Sequence, residues 1–257
     1  MKNRIQQSFD TNRKLLSIYF TAGYPKLNDT VPIIEALEAN GVDMIEIGLP
    51  FSDPLADGPT IQASSNKALQ NGMTTDVLFQ QLKDVRSTVK IPLIIMGYFN
   101  PILQYGVDAF CEKCAAVGID GLIIPDLPLR EYQQHFEPIF TAYGIRYIFL
   151  ITPQTSEARI REIDRASHGF IYMVSSASTT GSTSGFGTDQ TAYFERIAKM
   201  ELNNPVVVGF GIYDKETFNT ATSFARGAII GSAFIQSLDH SGVSGIPEFI
   251  EHIRPEV

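Results

Sequence analysis

Eight short apolar runs, each followed by a longer stretch of helical period, constrain this chain more than any other feature. The runs are LLSIYFTAG from Leu15, MIEIGLP from Met44, PLIIMGY from Pro92, GLIIPDL from Gly121, IRYIFLIT from Ile145, GFIYMVSS from Gly169, PVVVGFG from Pro205 and GAIIGSAF from Gly227. Several are apolar almost throughout, as parallel strands covered on both faces must be. Their starts lie roughly 20 to 50 residues apart, room for one crossover helix each. Helix end signals fall between them. Asn28 or Asp29 can cap the run from Thr30, which stops at Gly41; Ser156 can cap the run from Glu157; Thr188 or Asp189 can cap the run from Gln190.

Eight β-then-α units without a low-complexity linker predict one domain over residues 1–257, a closed (β/α)₈ TIM barrel with extra short helices. A doubly wound open sheet is the alternative. It would normally carry a Gly-rich fingerprint after the first strand, and TAGYPK is not GxGxxG.

Chemistry in such barrels sits at the C-terminal ends of the strands. There the sequence offers Glu46 within the second strand and Asp53 and Asp57 after it. Tyr98 and Asn100 follow the third strand, Asp126 the fourth and Thr152 the fifth, while Tyr172 lies in the sixth. Thr180-Gly181, Gly211 and Gly231-Ser232 follow the last three strands, where small residues expose backbone N–H groups. Loops after strands 7 and 8 with a helix N-terminus are the usual phosphate cradle of this fold. No Lys or Arg stands in these loops, so a dianion would be held by amides and a helix dipole. The same glycines also suit tight barrel turns.

Side chains alternate along a strand, so Met44, Glu46 and Gly48 share one face and Ile45 and Ile47 the other. With the isoleucines toward the helices, Glu46 points into the barrel near its upper rim. An apolar interior disfavours the charged carboxyl and raises its pKa toward neutrality, where one group can both donate and accept a proton. Asp57, in a loop, is expected to be wet and ionised. Two carboxyls in unlike environments suit divided acid and base roles. A structural Glu bonded to loop amides, with Asp53 and Asp57 as turn residues, is the other reading.

Absences narrow the chemistry. His135, His168, His240 and His252 all lie away from the C-terminal strand ends, so a His-ligated metal site is poorly supported. No lysine falls in a predicted strand, which leaves a Schiff-base aldolase without its nucleophile. Cys111 and Cys114 form CEKC inside a helical run, with no second Cys/His pair to make a zinc site. Lys and Arg total 20 against 28 Asp and Glu, and no basic cluster stands out, so no nucleic-acid partner is expected. No apolar run reaches the roughly 18 residues of a membrane span, and no secretory h-region opens the chain. The setting is expected to be cytoplasmic.

The motifs YFTAGYP (Tyr19 to Pro25), IEIGLPFSDPLADGPTIQ (Ile45 to Gln62) and GLIIPDLP (Gly121 to Pro128), with FIYMVSS, TTG, VVVGFGI and GAIIGSA in order, closely resemble the tryptophan synthase α chain family over nearly the whole chain. The resemblance implies retro-aldol cleavage of indole-3-glycerol phosphate to indole and glyceraldehyde 3-phosphate. It implies Glu46 and Asp57 as catalytic carboxyls and Tyr172 as an assisting tyrosine. Gly181, Gly211, Gly231 and Ser232 match phosphate-binding positions, and Phe20, Ile61 and Tyr98 match positions around the indole ring. It implies no cofactor in this chain, an α₂β₂ assembly, and pyridoxal phosphate in a β chain that converts the indole to tryptophan.

One departure stands out. Many relatives carry an Arg and a Gly-Val pair before Thr-Gly, where this chain has Ser176, Ser178 and Thr179. That loop is expected to close over substrate, with Thr180 near Asp57. Asp53 and Pro54, Asn100-Pro101-Ile102 and Pro128-Leu129 are the expected β contacts. A free-standing indole-releasing lyase and a non-catalytic activator of the β chain stay open as alternatives. A ketose–aldose isomerase is disfavoured by the apolar set Phe20, Ile61 and Tyr98.

Overall fold

The computed structural model describes residues 3–175 and 186–254. Eight parallel strands close into a barrel in sequence order: β1 (Leu15–Thr21), β2 (Met44–Gly48), β3 (Leu93–Met96), β4 (Gly121–Ile123), β5 (Arg146–Ile151), β6 (Ile171–Val174), β7 (Val206–Gly209) and β8 (Gly227–Ile230). Each begins within two residues of its expected start. The open-sheet alternative is excluded because β1 pairs with both β2 and β8.

Strand alternation divides the apolar residues into two cores. Leu16, Ile18, Phe20, Ile45, Ile47, Leu93 and Ile95 face the surrounding helices. Met44, Ile94, Ile123, Ile148, Tyr172, Val207 and Ile229 fill the barrel. Full burial of each such aliphatic or aromatic side chain contributes roughly 1.5–3 kcal/mol, so either face resists a one-residue register slip. The extra helices include Arg4–Ser8, Thr75–Leu82, Phe99–Tyr105 and Ile246–Ile253. The first plugs the bottom of the barrel, its Ile5 fully buried in the inner core.

Helix starts follow the capping chemistry with one correction. The Ser156 hydroxyl accepts the N–H of Arg159 at 3.3 Å. Asp29 occupies the N-cap of Thr30–Ala39 without a side-chain bond. The helix Thr188–Ala198 starts at Gly187 instead, placing Thr188 and Asp189 in its first turn. There the Gln190 side chain reaches back to the Gly187 N–H at 2.8 Å and satisfies the donor the cap would have covered.

Two buried aspartates tie the N-terminal end together. Asp43 accepts the N–H of Leu16 at 2.8 Å and pairs with Arg254 at 2.8 Å and with Arg13. Asp120 accepts the N–H of Leu93 at 3.0 Å and pairs with Arg86 at 2.6 Å and Arg4 at 3.0 Å. Each acid joins a strand start to arginines from other segments, so neither charge is left uncompensated. Cys111 and Cys114 are both free and buried on the helix Val107–Val117. Among the described residues no helix is long and apolar enough to cross a membrane.

Candidate active site

At the C-terminal end of the barrel two neighbouring cavities, of about 140 Å³ and 300 Å³, share the walls Tyr19, Asp57, Met96 and Phe210. Beneath them lies Glu46. Its strand position turns it inward with Met44, and it is fully buried. The Ser17 hydroxyl donates to Glu46 Oε1 at 3.1 Å, while Oε2 has no hydrogen-bond partner among the described residues. Burial pushes the Glu46 pKa up to about 8, against a smaller opposing effect of the Ser17 bond.

Asp57 lines both cavities from the loop after β2. That loop is folded by its own backbone, with the Asp57 N–H donating to the Pro54 carbonyl at 3.0 Å. Asp57 is less open to water than a loop position suggests. It is half-buried, and desolvation raises its pKa, opposed by a hydrogen bond from Tyr98. The contrast with Glu46 survives in weaker form, a sealed carboxyl below and a cavity-lining one above.

Tyr172 lines the smaller cavity and is almost wholly buried. Tyr98 lines the larger one. Ile61, from the helix Pro59–Gln70, Gly211, Gly231 and Ser232 line the smaller. Gly211 has φ +74°, a conformation that favours glycine. Gly231 precedes the helix Ser232–Ser241, and the buried Ser232 hydroxyl at that helix's first position has no partner among the described residues. Free helix N–H groups and an unsatisfied hydroxyl form a site suited to an anion. The larger cavity is walled mainly by apolar side chains, among them Leu49, Phe51, Leu150 and Val174. Such walls suit an apolar or weakly polar group.

Phe20 requires correction. Its side chain is fully buried in the outer core, against the helices. The preceding residue, Tyr19, faces the interior and lines both cavities. Strand parity carries the signal: Leu16, Ile18 and Phe20 form an all-apolar outer face, leaving Ser17 and Tyr19 to the inside. Phe210 and Met96 also line both cavities and were not singled out. Phe210 has φ +71°, unusual for a bulky residue. Thr180 and Gly181, with Ser176, Ser178 and Thr179, lie outside the described residues.

On the rim, Asp53, Asn100 and Pro128 are exposed. Ile102 and Leu129 are buried in the outer core, and the buried Pro54 lines the larger cavity, so these three offer no free surface. Leu55 and Leu103 are instead the exposed apolar residues there, 90% and 49% accessible.

A closed parallel barrel with a sealed carboxyl under a two-chambered C-terminal mouth defines a (β/α)₈-barrel enzyme. The family model for the tryptophan synthase alpha chain matches residues 5–248, and the chain belongs to that family. It is 68% identical to the tryptophan synthase alpha chain of Flavobacterium johnsoniae, over 98% of this chain and 100% of that one. With the alpha chain of Bacteroides fragilis it shares 58% identity, over 92% of this chain and 90% of the other. Among solved structures, tryptophan synthase subunit alpha of Legionella pneumophila superposes with a TM-score of 0.89 at 31% identity, covering 99% and 98% of the two chains. A chain of the tryptophan synthase complex from Pyrococcus furiosus gives 0.85 at 32%, covering 94% and 98%.

Proposed function

We propose that this chain is the lyase subunit of tryptophan synthase, cleaving indole-3-glycerol phosphate to indole and glyceraldehyde 3-phosphate. The observation that carries the reading is Glu46, a fully buried inward-facing carboxyl on β2 whose strand partner Tyr19 lines both cavities and whose pKa burial raises to about 8. The indole ring occupies the apolar cavity and the phosphate the glycine-lined one at Ser232, which sets the scissile bond near the shared walls. Gly181, outside the described residues, belongs to the phosphate set by resemblance alone.

Glu46 delivers its proton to indole C3. The ring becomes an indolenine-like cation, and ionised Asp57, accepting the indole N–H, stabilises charge that develops only along the reaction. Glu46, now a carboxylate, takes the proton of the side-chain hydroxyl. The C–C bond breaks as that oxygen becomes the aldehyde carbonyl, and the bonding pair returns to the ring and neutralises it. The proton count on Glu46 is restored at the end of the cycle. A pKa near working pH lets one carboxyl take both steps. Tyr172, buried in the inner core and close enough to feel the Glu46 charge, assists by keeping water from the carboxyl.

The indole passes to a pyridoxal-phosphate β chain in a cytoplasmic α₂β₂ assembly, with the exposed Leu55 and Leu103 beside Asp53, Asn100 and Pro128 as the docking surface. The deciding experiment measures indole release from indole-3-glycerol phosphate with and without added β chain. Slow turnover alone and strong activation by β are expected. Glu46→Gln and Asp57→Asn should each lose at least about a hundredfold in turnover while still binding substrate. Near-wild-type turnover in either variant removes that residue from the mechanism.

A further inference from the structure

Ser17 is a hydroxyl in a barrel core otherwise filled by Met44, Ile94, Ile229 and their neighbours. It is fully buried, and its side chain's hydrogen bond runs to Glu46 Oε1 at 3.1 Å. A buried hydroxyl without a partner is unfavourable, so this bond fixes the serine rotamer as much as it fixes the carboxyl. The register gives the bond a direction. Glu46 is the Cα partner of Tyr19, whereas Ser17 is paired with Met44, one inward-facing position nearer the N-terminal end. A carboxyl bonded to Ser17 is therefore drawn down the barrel. Glu46 accordingly lines neither cavity, although Tyr19, its strand partner, lines both.

The oxygens are also told apart. Oε1 accepts the serine hydrogen bond, whereas Oε2 is buried and has no partner among the described residues. We propose that Ser17 is a positioning residue for Glu46: its hydroxyl holds the carboxyl in this withdrawn pose and leaves Oε2 as the oxygen that carries the transferable proton. The role of Ser17 rests on the reading of Glu46 as the acid–base group. On each turnover the carboxyl rises from Ser17 to the substrate and returns.

The ionisable groups facing Glu46 are Tyr19 from β1 and Tyr172 from β6, with Asp57 above them; Ile94 from β3 and Ile229 from β8 offer none. Burial holds both tyrosines neutral. Ser17 donates the hydrogen bond to Glu46 and does not itself titrate, so its removal changes the balance on Glu46 without altering another titration. Losing a donor that favours the ionised form moves the titration upward.

The test compares wild type, Ser17→Ala and Ser17→Thr, using the protonated carboxyl C=O infrared band that Glu46→Gln abolishes. In the isolated wild-type chain this band should titrate near pH 8. Ser17→Ala should move the midpoint up by about half a unit or more and shift the band to higher wavenumber, as for an unbonded carbonyl. Ser17→Thr should keep both wild-type values. With β chain added, the Glu46 limb of the kcat/KM profile should follow the same order. If Ser17→Ala does not fold, Ser17→Cys, with its weaker donor, should give a smaller shift in the same direction. An unchanged band and midpoint in Ser17→Ala or Ser17→Cys, or a threonine variant that behaves like alanine, overturns the proposal. Absence of lyase turnover in the wild type would instead sink the proposed reaction, and the infrared result would still decide what Ser17 does.

Discussion

Tyr98 and Asp57 are joined through one hydroxyl, which donates to Asp57 Oδ2 at 3.2 Å while accepting the N–H of Ala56 at 2.9 Å. A side chain from the end of β3 thus holds the loop after β2 in shape and favours the ionised form of the acid that lines both cavities. Tyr98→Phe keeps the ring beside Phe51, whose centroid lies 5.2 Å away with the two planes tilted, and removes only the hydroxyl. Hydrogen bonds to charged groups contribute about 1.5–3 kcal/mol, so indole release should fall about tenfold or more and the melting temperature should drop by roughly a few degrees. A variant as fast as wild type would mean that Asp57 needs no such support.

Glu46 should make the chain less stable as pH rises. Its pKa is about 8 in the fold against an ordinary 4.5, so between those values the native chain keeps a proton that the unfolded chain has released. Stability then falls with rising pH across that window and is indifferent to this group below and above it. At roughly 1.4 kcal/mol per unit, the effect reaches a few kcal/mol by the upper end. Glu46→Gln should match wild type in urea unfolding near pH 4.5 and exceed it increasingly toward pH 8. Parallel stability curves for the two proteins would rule this out.

Gly48 and Gly209 carry no side chain because tyrosines occupy the space. A β-carbon at Gly48 would overlap the hydroxyl of Tyr19, and one at Gly209 the hydroxyl of Tyr172. Gly209→Ala should cost about 1–3 kcal/mol through overpacking and slow the reaction by shifting Tyr172. Thermal melting and turnover check it together, and loss of neither would show the ring to be free to move.

Ser232 presents a hydroxyl without a partner among the described residues at the first turn of its helix. Ser232→Ala should leave the melting temperature unchanged or slightly raised, since it deletes an unsatisfied group. The inhibition constant of inorganic phosphate, measured in competition with substrate, should rise about tenfold. Unchanged phosphate inhibition would move the anion elsewhere in the cavity.

Much of this was legible in the residues themselves. Strand positions followed from apolar runs that parallel packing requires, and the inward turn of Glu46 followed from Ile45 and Ile47 on its flanks. The same alternation, applied to β1, separates Tyr19, which faces the cavities, from Phe20, which faces the helices, a distinction that motif similarity does not carry. Phe210 and Met96 gave no signal, because their place depends on backbone turns and barrel curvature that periodicity does not encode. The start of the helix at Gly187 was hidden because Thr188 and Asp189 are better caps by type, while Gln190 does the work from inside the first turn. Burial of Ile102 and Leu129 was hidden for a similar reason, since short helices after β3 and β4 turn these residues inward.

The aspartate clasps at Asp43 and Asp120 sit at the foot of the strands, a full strand length from the mouth. Inherited damage in the two places should therefore have different signatures. A weakened clasp would lower how much enzyme a cell retains, leaving each surviving molecule as fast as before. A lesion at the mouth would leave abundance intact and the product missing.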